Sequence, residues 1–118
     1  MKRVKEKISR EMRSGIYTLI ILHVIDILGE TYGYEIQKYV EEKTEGFIKL
    51  KDATVYPVLR YLVKKRVLHA YWTEPDRGVP RKYYSLTEEG RKMLKDLIEE
   101  YKNLTEKVNS LLEVSEDD

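Results

Sequence analysis

Cysteine is absent from these 118 residues, and histidine occurs only at His23 and His69. Without thiols there is no disulfide framework and no thiolate metal site. His23 and Asp26 stand three apart, the spacing of a metal pair on one helix face, but no third or fourth ligand accompanies them. His23 is therefore expected in the core or at an interface, and no metal or cofactor is expected. Glycine-rich phosphate loops are missing, and no nucleophile can be matched with a base, so the chain is not read as an enzyme. No apolar run reaches membrane-spanning length. The longest, Ile16–Leu28, is too short and is interrupted by His23 and Asp26. No small-residue cleavage site follows it, so a secretory leader is not expected; the expected location is the cytoplasm, with no membrane partner. An excess of either charge is lacking too, and a formal net charge of +1 says nothing by itself about nucleic acid.

What the chain does have is charge sorted by position. Residues 1–13 carry six basic and two acidic side chains, and residues 14–48 carry two and six. Residues 49–86 carry nine and three, and residues 87–118 carry five and ten. Positive charge is thus concentrated in the N-terminal segment and in 49–86. A nucleic-acid surface needs such a local footprint and not a basic protein. Hydrophobic residues at 42% and charged residues at 36% describe a globular chain. The length fits one domain with an appended helix.

The stretch from Asp52 to Leu86 organises the rest. Asp52–Arg66 has Val55, Val58, Leu59, Leu62 and Arg66 on one side at 100° per residue, with Ala53, Pro57, Arg60 and Lys64 opposite. Pro57 costs a backbone bond inside a helix. Thr54 as N-cap would place it in the first turn; Asp52 is the alternative cap. Val67–Glu74 and Arg81–Leu86 are strands rich in β-formers, joined by the turn residues Pro75–Pro80. A helix followed by a basic hairpin is the layout of a winged helix. Before it, Met1–Arg13 reads as a helical lead-in or a mobile basic arm. Ser14–Leu28 reads as a core helix apolar on most faces, with Ser14 as N-cap and Gly29 as stop. Tyr32–Glu45 reads as the second helix, and Phe47 and Leu50 as core anchors in the turn after it. Thr87–Val114 reads as the last helix, capped by Thr87. Its Leu94, Leu97, Tyr101, Leu104, Val108 and Leu111 recur at steps of three and four, a heptad seam expected to form a dimer interface. The expected fold is α+β, mostly α: a winged helix-turn-helix domain over residues 1–86 and a C-terminal dimerisation helix over 87–118.

Three motifs carry a family resemblance. Tyr32-Gly33-Tyr34-Glu35-Ile36, then Thr54-Val55-Tyr56-Pro57-Val58-Leu59, then Pro80-Arg81-Lys82-Tyr83-Tyr84-Ser85-Leu86-Thr87-Glu88-Glu89-Gly90 resemble, in order, the PadR family of winged-helix repressors. The resemblance runs from about Gly15 onward, and the single last helix is similar to the family's short branch. It implies a homodimer, a pseudo-palindromic operator and often a small-molecule inducer. The chain departs from the family at Asp52-Ala53, where a Pro-Gly pair is usual.

Arg60 and Lys64 are the expected major-groove residues, with Lys51, Thr54 and Tyr56 on phosphates. Arg77, Arg81 and Lys82 are expected to act from the wing on the minor groove or its phosphates. Tyr34, Gln37 and Lys38 on the second helix are further phosphate candidates, although Tyr34 reads equally well as core. The plainer reading of each set is a solvated charged surface. Tyr84 is expected in the core, Tyr83 partly exposed, and Trp72 packed within the hairpin. The resulting function is a dimeric regulator, a repressor, that reads double-stranded DNA. The alternatives are a protein-interaction module, or a sensor of a small aromatic effector whose pocket would involve Tyr101.

Overall fold

A 27-residue helix, α1 (Lys2–Leu28), opens the chain. The structure is a computed structural model that describes residues 1–73 and 78–114. The helical lead-in is the alternative realised for Met1–Arg13, and Ser14, expected as an N-cap, lies in mid-helix. The first half of α1 is exposed and carries an i,i+4 ion pair, Lys7 Nζ to Glu11 Oε1 at 3.1 Å. The second half supplies the core, with Ile21, Leu22, Val24 and Ile25 buried. Burial is less general than the apolar run suggests, since Ile27 is exposed. Gly29 ends the helix at φ 80°, its N–H donating to the Ile25 carbonyl. This left-handed conformation favours glycine.

Helix α2 (Gly33–Lys43) is shorter at both ends than Tyr32–Glu45. Thr31 is fully buried and donates through Oγ1 to Glu35 Oε1 at 2.6 Å. Glu35 sits in the first turn, where the helix dipole favours an acid. At the other end, the Gly46 N–H donates to the Glu41 carbonyl at 2.8 Å. Glu45 and Gly46 both have positive φ. After that reversal the chain alternates, so Ile48 and Leu50 point inward and Phe47 outward. Phe47 is 91% exposed and is not the core anchor expected of it; Leu50 is.

Helix α3 (Asp52–Lys64) takes Lys51 as N-cap, not Thr54 or Asp52. No side chain of its own caps it. Gln37 on α2 instead donates through Nε2 to the Leu50 carbonyl at 3.0 Å and to Asp52 Oδ1 at 2.8 Å. That pair of bonds fixes the start of α3 against α2. Pro57 stands inside the helix and removes one bond to the Ala53 carbonyl, which lies on the exposed side. The helix stops short of Arg66, which turns to φ 61° and is exposed, so Arg66 is not part of the inner face.

Strands β1 (Leu68–Trp72) and β2 (Lys82–Leu86) pair antiparallel, from Leu68 opposite Leu86 to Trp72 opposite Lys82. They are shorter than expected, and Glu74 lies outside the described residues. Thr31 adds a bridge to Tyr84, making a third short rung. Tyr84 and Leu86 face the core and Tyr83 is half-buried. Helix α4 (Glu88–Glu113) starts at the Thr87 cap, whose Oγ1 accepts from the Gly90 N–H at 2.9 Å. Gly90 is more than a poor helix former. A Cβ there would sit 2.3 Å from the Val67 carbonyl oxygen, so only glycine lets α4 close onto the chain before β1.

The core joins Ile25 of α1, Ile36 of α2, Leu59 of α3, Leu68 and Tyr84 of the hairpin and Leu94 of α4. The radius of gyration is 17.0 Å, against about 13 Å for a compact domain of roughly 100 residues. The excess arises because the outer ends of α1 and α4 extend beyond this core.

Candidate nucleic-acid interface

The apolar face of α3 is spent on the core: Val55, Leu59 and Leu62 are at most 3% exposed. Its opposite face must then point outward, and Ala53, Pro57, Arg60 and Lys64 are all exposed. Two clefts flank this face.

The first cleft, of about 350 Å³, lies toward the hairpin and is lined by Gly33, Tyr34, Tyr56, Trp72, Arg81 and Lys82 among others. The Tyr56 ring lies against Gly33, where a Cβ would approach it to 2.6 Å. Two of the motifs recognised in the sequence are thereby packed together. Partial burial, and secondarily the Asp52 carboxylate, raise the Tyr56 hydroxyl above its ordinary pKa. It stays a neutral donor at physiological pH. Burial, and secondarily Tyr56, also raise the Tyr84 hydroxyl, while Arg60 opposes the shift. On the wing, the Arg81 guanidinium lies 4.5 Å from the Tyr32 ring centroid and Lys82 Nζ 5.9 Å from that of Trp72. Such contacts hold a cation in place without neutralising it. Arg81 is further fixed by its N–H donating to Thr73 Oγ1 at 3.0 Å, while the Thr73 N–H donates to its carbonyl at 2.9 Å. Trp72 is 64% exposed, not packed within the hairpin, because it stands at the open end of β1 over this cleft.

The second cleft, of about 530 Å³, lies on the α1 side. Arg10, Arg13, Lys49, Lys51 and Thr54 line it. Sequence reading missed Arg10, Arg13 and Lys49. Both basic blocks were visible, but that α1 runs unbroken and brings the first against the second is a tertiary fact.

Of the remaining site residues, Tyr34 is 62% exposed and so is not core, and Lys38 is exposed on α2. Gln37 is committed to holding α3 and is not free for an outside partner. Arg77 lies outside the described residues. Among the described residues, Lys38, Lys51, Arg60, Lys64, Arg81 and Lys82 have no carboxylate within 4.0 Å; the ion pairs lie elsewhere. Chemically, the surface offers cations and neutral hydroxyl donors to an extended anion.

A mostly apolar surface lies between α1 and α4. A groove of about 620 Å³ between α1 and α4 is lined by Met12, Gly15, Leu19, Leu97, Tyr101 and Leu104 among others. Along the seam Leu94 is buried and Leu97 half-buried. Tyr101 is 38%, Leu104 58%, Val108 40% and Leu111 73% exposed. His23 is exposed on α1 instead of lying in the core. Nearby Asp26 is engaged by Arg91 of α4 at 3.5 Å. Among the described residues, no helix is long and apolar enough to cross a membrane.

Known proteins share this fold. A transcriptional regulator from Clostridium thermocellum is 32% identical, with a TM-score of 0.77 over 85% of this chain and 96% of its own. A PadR family transcriptional regulator from Eggerthella lenta is 26% identical, with a TM-score of 0.80 over 97% of this chain and 96% of its own. PadR from Bacillus subtilis, solved in complex with operator DNA, is 28% identical, with a TM-score of 0.63 over 70% of this chain and 46% of its own. The transcriptional regulator PadR-like family matches residues 21–96, which span α1 from its core half to the buried start of α4. With the winged helix, its three motifs and that match in hand, the chain belongs to the PadR-like family of transcriptional regulators.

Proposed function

We propose that the chain acts as a homodimeric repressor that binds a pseudo-palindromic site in double-stranded DNA. One observation carries the reading. The outward face of α3, with Arg60 and Lys64, lies between two clefts whose described linings hold cations and no carboxylate. An α-helix fits the major groove, and Arg can bridge two acceptors of guanine. In this reading Arg60 and Lys64 meet base edges. Lys51, Thr54, Tyr56, Tyr34 and Lys38 hold phosphates, and Arg81 and Lys82, with Arg77, act from the wing. The operator complex of Bacillus subtilis PadR supports the assignment by fold. Residues 1–86 form the reading unit and 87–118 the dimerisation helix, through Leu94, Leu97, Tyr101, Leu104, Val108 and Leu111. Such a protein works in the cytoplasm and is not an enzyme.

Selection from random duplexes tests this. The expected product is a palindrome with half-sites about one helical turn, ~34 Å, or a multiple apart. Recovery of no preferred sequence would favour the protein-interaction alternative. The apolar α1–α4 groove with Tyr101 supports a second, regulatory reading, in which a planar aromatic effector binds at the dimer interface. Thermal shift with such compounds, paired with duplex affinity, is the check: a stabilising compound should also weaken DNA binding.

A further inference from the structure

The N-terminal basic block lacks a role in the reading above. Six of its thirteen residues are Lys or Arg, yet none lies on α3 or the hairpin. The fold gives part of it a place. Arg10 and Arg13 reach the cleft that Lys49 and Lys51 enter from the other side, with Thr54 beside them. All four cations are exposed, and no carboxylate lines the cleft. Lys49 alone is loosely engaged, 3.8 Å from Glu41 on α2. Glu11 is taken up by Lys7, and Asp52 accepts from Gln37. At 100° per residue Arg10, Arg13 and Ser14 share one side of α1, while Val4, Ile8 and Met12 run along another. The helix thus turns its cations toward α3 and its apolar stripe away. Glu6 lies one turn before Arg10 on the same side of that helix.

We propose that this cleft is a second phosphodiester site, in which Arg10 and Arg13 of α1 join Lys51 in holding DNA phosphates beyond those reached by α3 and the wing. The inference rests on the reading of the α3 face as a DNA surface and extends it to α1. Four like charges gathered around one cleft repel each other, and a polyanion relieves this. A phosphodiester backbone supplies successive charges along the line from α1 to α3, which a single small anion does not.

The test uses the full chain on the selected duplex. Affinity is measured against salt for wild type, Arg10→Ala/Arg13→Ala and Arg10→Lys/Arg13→Lys. Each phosphate contact contributes roughly 0.9 to the log–log slope. The double alanine variant should flatten it by about 2 per protomer, with base preference, helicity and oligomeric state unchanged. The lysine pair should restore most of it. If the alanine variant keeps the wild-type slope while Arg60→Ala weakens binding, the α1 site is wrong and the DNA reading stands. If wild type binds no duplex, both fall. Calorimetric titration with inorganic phosphate separates a free-anion site: no saturable uptake is expected. Saturable uptake lost in the alanine variant, with an unchanged DNA slope, would overturn the proposal.

Discussion

The α3–hairpin face and the α1–α4 face leave different things exposed. The first exposes Arg60, Lys64 and Arg81, with Lys82 half-buried beside them, and these cations, which water solvates well, call for an anion. The second exposes Leu104, Val108 and Leu111, which water solvates poorly and which call for another apolar surface. One helix serves both, since α1 sends Arg13 to the charged cleft and Met12 to the apolar groove. A partner on one face need not resemble the partner on the other, and substitutions on the two faces should have separable effects.

The largest effect is expected on the apolar face. Leu104→Glu with Leu111→Glu places charge on side chains that the single chain leaves exposed, so folding should survive and dimerisation should not. Light scattering should give a monomer with helical circular dichroism retained, and binding to the paired half-sites should be lost. A persisting dimer would remove α4 from the interface. Gly90→Ala serves as the contrast, because it damages the seat of α4 and with it both faces. The added methyl meets backbone at 2.3 Å, and overpacking of this kind costs about 1–3 kcal/mol or more. The melting temperature should fall by several degrees. Thr87→Ala removes the cap bond at the same junction and should cost about 1 kcal/mol in chemical denaturation.

The smallest expected effect is ionisation of Tyr56. Its pKa is raised in the folded state, so its contribution is complete below about 10 and is lost as pH rises through the folded value. Thermal stability should fall as pH rises above about 10, and Tyr56→Phe should reduce that loss.

These contrasts follow unequally from the sequence. The inner face of α3 was legible because Val55, Leu59 and Leu62 repeat at the helical period. The Gly29 stop and the bond from the Gly90 N–H to the Thr87 hydroxyl were legible because each is made within one helical turn, whereas the bond from that hydroxyl to the Arg66 carbonyl was not. Phe47 misled because its direction depends on the reversal at Glu45 and Gly46, where the left-handed pair decides which of the following residues turn inward. Gln37 misled because its partners, Leu50 and Asp52, lie more than a dozen residues away. Gly90 was visible only as the last residue of the third motif, with no reason attached, since its real constraint is the Val67 carbonyl. Of the candidate interface, the α3 residues and wing cations could be named in advance. The contribution of Arg10 and Arg13 depended on the path of a helix whose outer half contributes no residue to the core.

The central claim is that the charged face reads duplex DNA, and affinity against salt for wild type and Arg60→Ala tests it most directly, on the selected duplex and a scrambled one. Wild type should prefer the selected duplex and show a steep salt dependence. Arg60→Ala should lose roughly 1–3 kcal/mol on the selected duplex, relax preference at one base position and change little on the scrambled one. Equal binding of both duplexes by both proteins would contradict the claim and leave the basic face a solvated surface.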